Sequence, residues 1–398
     1  MGGICGNGKE NHLGLSKMNP KKVFLIRNVA PDKFGGGETY QLELARELKQ
    51  HGFAPAILTN SRELLRRAKK SGFKTFIPPY IVNQNWSGIR NFLFPLYWMK
   101  IAAQKRWYIR LFQSEQPIAI NVQSRDDWIS ASLAAKKTRT KTLWTDHIDF
   151  RSWALWNIDK RFKNPIGKII IKIAKAVDKI IFISNFEYNW FASITKNKKL
   201  DNLTIINNGA IDHLKDYASI KPANNTFCYV GRIEGYKGIS ELIKAFNRTT
   251  ARKTNIRLNI YGNGNELDSF KTIAKQNPNI TFHGYTEEPL RAIAENEVFV
   301  LPSYYEGLSL SLLDAAMMQK TIIATDVGAT REVIKNKKTG ILVQPHSVEA
   351  LSKAMMEVIQ DKNLAKNMAK NARVHFKKNY NFEQIFEEKM LPLYNIDK

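Results

Sequence analysis

Two carboxylates stand eight residues apart in LPSYYEGLSLSLLDAAMMQ, Leu301 to Gln319: Glu306 at the turn that ends an apolar run, and Asp314 two helical turns further on. An acid costs most where a turn is buried, so one at the mouth of a strand-turn-helix unit asks for a ligand. Cations lie upstream. The loop GRIEGYKG carries Arg232 and Lys237, five residues apart after another apolar run. Together they can clamp a diphosphate, although either one alone also fits a solvated surface charge. A third stretch, GGGETY, sets Gly36 and Gly37 at the start of a helical pattern, where backbone N–H groups accept an anion. A plain tight turn uses the same residues, and the run matches neither the Walker pattern nor the dinucleotide fingerprint.

Strands are needed to hold these groups, and strand-like runs alternate with helical patterns along the whole chain. KVFLIRNV, APAILT, PIAINVQS, KTLWTDH and KIIFIS belong to a first α/β unit over residues 20–212, whose opening helix is closed by Gly52. A polar connection over 213–224 leads to a second alternation over 225–375. The helical stretch FEQIFEEKMLPLY, in 376–398, lies beyond the second sheet and is expected to return to the first unit, while residues 1–19 read as a disordered extension. The expected architecture is two doubly wound Rossmann-like domains facing each other across a cleft. Ligands of such sheets sit at the carboxyl ends of the strands. That rule collects Gly35, Gly36, Gly37, His147 and Ser184 from the first unit. From the second it collects Arg232, Lys237, Gly262, Gly264, Tyr285, Glu306, Gly307 and Thr325.

Composition narrows the partners. With 398 residues, 43% of them hydrophobic, the chain can build more than one core. Two cysteines, Cys5 and Cys228, supply neither a disulfide framework nor a cysteine zinc site, which fits a reducing compartment. No apolar run of about 18 residues argues for a spanning helix, and the N-terminus has neither a signal-peptide pattern nor a myristoylation signal. The formal net charge of +25 calls for an anionic partner or a membrane surface. Between Glu63 and Glu115 no acidic residue occurs, whereas Arg66, Lys100, Lys105, Arg106 and Arg110 are interleaved with Trp86, Phe92, Trp98 and Trp107. Segment 66–112 is therefore expected to lie on an anionic bilayer; its aromatics entering the core with the lysines merely solvated is the other reading. A nucleic-acid partner is not expected, because the aromatics cluster in one apolar segment and no DNA or RNA module is present.

GGGE, NNGAID, GR followed by KG, YGNG, FHGY and SYYEGLSLSLLDAA, in this order and at these distances, resemble the retaining glycosyltransferases of family 4, which have the two-domain GT-B fold. The resemblance runs from Lys21 to Val343 and more loosely to the end. It implies that Arg232 and Lys237 hold the diphosphate of a nucleotide-sugar donor and that Glu306 contacts the transferred sugar. Gly307, Leu308 and Ser309 would turn backbone N–H groups to phosphate, with Gly36 and Gly37 on the opposite side and Gly262 and Tyr285 near the nucleoside. Asp314 stands where the family usually has a Glu on the ribose hydroxyls. His147, in TDHIDF, matches the family's His beside the reacting sugar, although the commoner pattern has Asp directly after it and here Asp149 comes one residue later.

The implied enzyme is retaining and metal-independent: no Asp-x-Asp follows a strand, and preorganised cations and N–H dipoles stabilise the departing nucleoside diphosphate. No cofactor is implied. The implied acceptor is a glycan or a lipid-linked glycan at the cytoplasmic face of a membrane, in cell-surface polysaccharide or glycolipid synthesis. A sugar-nucleotide epimerase of the same architecture is one alternative, separated by release of nucleoside diphosphate; a basic nucleic-acid-binding protein is the other, separated by retention of a nucleic-acid probe at physiological salt.

Overall fold

Parallel strands covered by helices on both faces read as near-continuous apolar runs, and the structure uses them in that way. The computed structural model describes residues 20–29, 31, 34–79, 94–124, 127–147, 165–195, 200–253, 255–274 and 277–395; the expected extension at 1–19, Trp86, Phe92 and Asp149 lie outside these. In the first sheet β1 (Lys21–Ile26), β2 (Phe53–Leu58), β3 (Lys74–Phe76), β4 (Ala119–Val122), β5 (Lys141–Asp146), β6 (Lys179–Phe182) and β7 (Leu203–Ile205) pair in the order 3-2-1-4-5-6-7. The second holds β8 (Ala223–Val230), β9 (Arg257–Tyr261), β10 (Ile280–Gly284), β11 (Asn296–Leu301), β12 (Thr321–Thr325) and β13 (Ile341–Val343) in the order 10-9-8-11-12-13. Every pairing is parallel. The order reverses between β1 and β4 and again between β8 and β11, and such reversals are where open α/β sheets leave a crevice.

The first unit's helices are α1 (Gly36–Gln50), α2 (Arg62–Lys70), α3 (Phe94–Glu115), α4 (Trp128–Thr138), α5 (Pro165–Ala174) and α6 (Asn185–Ile194). Strand alternation divides their packing between the two faces of the sheet. Phe24 and Ile26 of β1 face α3, α4 and α5, where Trp128 and Trp144 stack at 5.1 Å. Val23 and Leu25 face α1. The second unit carries α7 (Ile239–Thr250), α8 (Leu267–Ala274), α9 (Pro289–Ala294), α10 (Leu310–Met317), α11 (Thr330–Val333), α12 (Val348–Gln360) and α13 (Lys362–Asn379) around one continuous core.

After α13 the chain crosses back. Gly209 passes so close to it that a Cβ would stand 2.9 Å from Phe382 Cα, and Ala210 bridges Asn381. Phe382, Phe386, Met390 and Tyr394 then pack on the α1 face of the first sheet, and Asn121 Nδ2 donates to the Tyr394 hydroxyl at 2.7 Å. The two units are the two Rossmann-like halves of a GT-B fold.

In α3 the aromatics divide. Tyr97, Tyr108 and Phe112 are buried in the core and Trp98 and Trp107 are half-buried, so the aromatics turn inward more than a membrane-facing stripe requires. The outer stripe instead runs Leu96, Met99, Ala103, Arg106 and Arg110, with Lys100 beside it. Leu96 is 52% and Met99 67% exposed.

Candidate functional site

At the reversal of the second sheet two loops meet, one after β8 and one after β11. Lys237 Nζ donates to Glu306 Oε1 at 2.6 Å, and Ser303 Oγ donates to the same oxygen at 2.7 Å. Glu306 is only 7% exposed, so this pairing is what keeps its charge tolerable there. The approach is tight enough to need glycine at two places. A Cβ on Gly238, whose φ is +68°, would stand 2.0 Å from Pro302 O, and one on Gly328, with φ +54°, would stand 1.8 Å from Glu306 O. Arg232 is set within its own loop: Nη1 donates to Glu234 Oε1 at 2.7 Å and Nη2 to the Tyr236 hydroxyl at 2.5 Å. Burial pushes the Tyr236 phenol up to about 12.

Past Glu306 the chain enters α10 through Gly307, Leu308 and Ser309. The Ser309 side chain does not cap the helix; its hydroxyl sits 3.1 Å from that of Ser311. The opening of α1 is alike, since Gly35 has no side chain to cap it. Ser61, Ser184, Ser347 and Asp361, by contrast, cap their helices with side-chain oxygens. The openings of α1 and α10 face each other: a Cβ on Gly36 would lie 3.3 Å from Leu310 Cδ1. Uncapped first turns present backbone N–H groups and the positive end of the helix dipole to an anion.

Asp314 lies one turn into α10 and is half-buried. Burial pushes its carboxyl up to about 7, and the Glu43 carboxylate of α1 acts in the same direction. On the first sheet, His147 follows β5, its ring edge-on to Tyr40 at 4.6 Å, and its Nε2 is buried without a hydrogen-bond partner. Burial holds this imidazole well below the ordinary histidine range, and the Arg27 guanidinium adds to the effect. Tyr40 is backed by the C-terminal segment through Met390 Sδ, 3.4 Å from its hydroxyl.

The remaining expected residues occupy the rim. Gly262 has φ +144°, and a Cβ there would stand 1.8 Å from Gly231 O, so two strand ends pass in contact beneath the site. Tyr285 is exposed and accepts a hydrogen bond from Arg67 Nη2 of α2 at 3.0 Å, bridging the two units. Gly37 lies beneath Arg27: a Cβ would come within 2.2 Å of Nη2.

Two charged residues at the site escaped sequence reasoning. Arg27 directly follows β1 and donates from Nε to the buried Glu38 at 2.6 Å. Its only signal was a cation at the end of an apolar run. Glu332 of α11 reaches across the domain boundary, its Oε2 accepting from Asn185 N and Nδ2 at 3.1 and 2.9 Å and its Oε1 from Phe186 N at 2.8 Å. Among the described residues no cluster of three His, Cys, Asp or Glu side chains is arranged to hold a metal ion.

Comparison with known proteins agrees with this layout. Two family models match consecutive parts of the chain, Glycosyltransferase Family 4 over residues 34–212 and Glycosyl transferases group 1 over 212–375. The capsular polysaccharide biosynthesis glycosyltransferase CapM of Staphylococcus aureus is 26% identical over 70% of this chain and 77% of its own. Among solved structures, a glycosyltransferase of Rickettsia africae superposes with a TM-score of 0.73 at 20% identity, over 95% of this chain and 98% of its own. Anabaena HepE, solved with UDP and glucose, gives 0.73 at 14% identity over 94% and 100%.

Proposed function

Because the chain belongs to the glycosyltransferases of family 4, with the GT-B fold, we propose that it moves a sugar from a nucleotide-sugar donor to a glycan or lipid-linked acceptor with retention of anomeric configuration and without a metal ion. The observation that carries this reading is the meeting of Lys237, Glu306 and the opening of α10 at one sheet reversal, opposite the opening of α1. An ammonium has three donors, and Glu306 takes one of those on Lys237; the others suit diphosphate oxygens. Arg232 supplies a second cation. As the bond from the sugar to the diphosphate breaks, negative charge grows on the leaving oxygen, and fixed cations and N–H dipoles stabilise it without reorganising. Glu306 accepts from hydroxyls of the sugar being moved, Asp314 from those of the ribose, and His147 stands beside the reacting centre from the first sheet. Gly36 and Gly37 let the opposite backbone approach the donor, with Gly262 and Tyr285 toward the nucleoside.

The 26% identical capsule-building relative supports a polysaccharide acceptor. The outer stripe of α3 supports docking of segment 66–112 on the anionic cytoplasmic face of a membrane, where lipid-linked acceptors lie. No helix among the described residues is long and apolar enough to cross one.

The test supplies a panel of α-linked nucleotide sugars with sugar acceptors, follows nucleoside diphosphate release, and reads the product's anomeric proton by NMR, with and without chelator. An α-glycoside formed at equal rate in chelator is expected. A β-product, or activity abolished by chelator, overturns the corresponding half of the proposal.

A further inference from the structure

At the reversal of the first sheet sits a side chain that none of these roles uses. Gln123 directly follows β4, is completely buried, and has neither Oε1 nor Nε2 in a hydrogen bond. An unpaired buried polar group costs roughly 1–3 kcal/mol, and native interiors hold few of them without cause. An apolar side chain of the same size would pack there at no such cost.

Its neighbours give the cause a direction. Ile26 of β1 is the register partner of Val122, which sets Arg27 beside Gln123, and Arg27 Nη1 donates to the Gln123 carbonyl at 3.2 Å. Val122 in turn pairs with Trp144, so the strand on the other side of Gln123 is β5, which His147 directly follows. Alternation puts all three side chains on one face. Leu25, Ala119 and Leu143 belong to the core under α1. Arg27, Gln123 and His147 stand two or four residues beyond them in the same strand phase. The row therefore lies at the β1/β4 reversal, the place where an open α/β sheet receives a ligand, and it holds the buried, unpaired amide of Gln123 and the buried, unpaired Nε2 of His147.

A carboxamide presents an acceptor and a donor side by side. That is the complement of two neighbouring hydroxyls, each of which both donates and accepts. We propose that Gln123 reads a pair of adjacent hydroxyl groups on the sugar acceptor and holds it against His147 at the point of transfer. The inference rests on the transferase reading. Adjacent hydroxyls occur on the donor's sugar too; the acceptor is favoured because Gln123 lies on the first sheet, whereas the groups proposed for the donor's sugar and phosphates lie chiefly on the second.

Gln123→Leu, with Gln123→Met as an unbranched variant of equal reach, decides the matter. Both are assayed beside wild type with a panel of uridine and guanosine diphosphate sugars and with octyl glucoside as acceptor. Melting temperature, donor KM and acceptor KM are read for each. The expected result is an unchanged or higher melting temperature, donor KM within about twofold, and acceptor kcat/KM lowered on the order of 10- to 100-fold, the loss expected when two hydrogen bonds to the acceptor are removed. A donor KM that rises while acceptor KM stays put overturns the acceptor assignment. Wild-type rates in both variants overturn the inference alone, as does a fall in melting temperature with activity intact, which would make Gln123 a packing residue. Absence of turnover by the wild type across the panel removes the transferase reading and this inference together.

Discussion

Lys237 Nζ and Glu306 Oε1 lie 2.6 Å apart, joining the loops after β8 and β11 across the reversal of the second sheet. The pair is structural, and under the proposed reading it also faces the donor. Breaking a buried ion pair from one side strands the other charge, which costs about 3–5 kcal/mol in stability. Lys237→Met should therefore lower both the melting temperature and turnover, the latter on the order of 100-fold as a donor to developing charge is lost. Adding Glu306→Gln should restore much of the melting temperature and none of the turnover. A double variant no more stable than the single one would show that the pair carries little of the loop's order.

Asp314 makes stability depend on pH in a direction opposite to that of an ordinary paired carboxylate. Its pKa rises from 3.8 to about 7, first through burial and then through Glu43. Between those values the folded chain keeps a proton that the unfolded chain has released, so this contribution is complete below 3.8 and is lost as pH rises through about 7. Asp314→Asn removes the titration. Its melting temperature should gain on wild type as pH is raised from about 5 to about 8. A constant difference between the two proteins over that range would mean that Asp314 does not titrate there.

Glu332 closes the two domains on each other by accepting three hydrogen bonds at the opening of α6. Bonds to a charged group are worth about 1.5–3 kcal/mol, and the helix dipole adds up to about 1 kcal/mol. Phe186, on the same turn, packs against the core of the second unit. Glu332→Ala should loosen this contact, widening the molecule by small-angle scattering and raising donor KM about tenfold, the equivalent of about 1.4 kcal/mol. Glu332→Gln keeps an acceptor oxygen and should fall between. Unchanged scattering and KM in the alanine variant would relegate Glu332 to helix capping.

Much of this arrangement was legible in the chain. Runs such as KIIF and TIIAT are buried on both faces, so they announce parallel strands without alternation, and the β8 and β11 loops gather Gly beside charge. Of the first-sheet row only His147 was legible. KVFLIRNV and PIAINVQS read as strands to their ends, which hid Arg27 and Gln123 inside them, whereas β1 stops at Ile26 and β4 at Val122. A shift of one or two residues at a strand end decides whether a side chain is core or site. Glu332 was hidden for another reason: its partners lie 147 and 146 positions away, and nothing local marks a carboxylate that caps a helix in the other domain. Composition does not distinguish the two faces of a helix, so the inward turn of Tyr97, Tyr108 and Phe112 in α3 was not legible either.

That division of α3 sharpens the membrane test. Arg66 and Arg67 are paired with Glu63, and Lys74 with Glu115, so these cations are partly neutralised within the first domain. Lys100, Arg106 and Arg110 are exposed and Lys105 half-buried, next to exposed Leu96 and Met99. Each Lys or Arg near an anionic surface contributes roughly 1 kcal/mol, so changing Lys100, Lys105, Arg106 and Arg110 to Ser should weaken binding to anionic liposomes on the order of several hundredfold. Leu96→Ser with Met99→Ser should weaken it through lost burial in the headgroup region, without altering its salt dependence. Wild-type binding should itself decline as salt shortens the Debye length. Co-sedimentation with anionic and with neutral liposomes reads all three. Equal recovery on both lipids, or a fourfold Ser variant that binds like wild type, would return α3 to an ordinary solvated face and make a soluble acceptor the better reading.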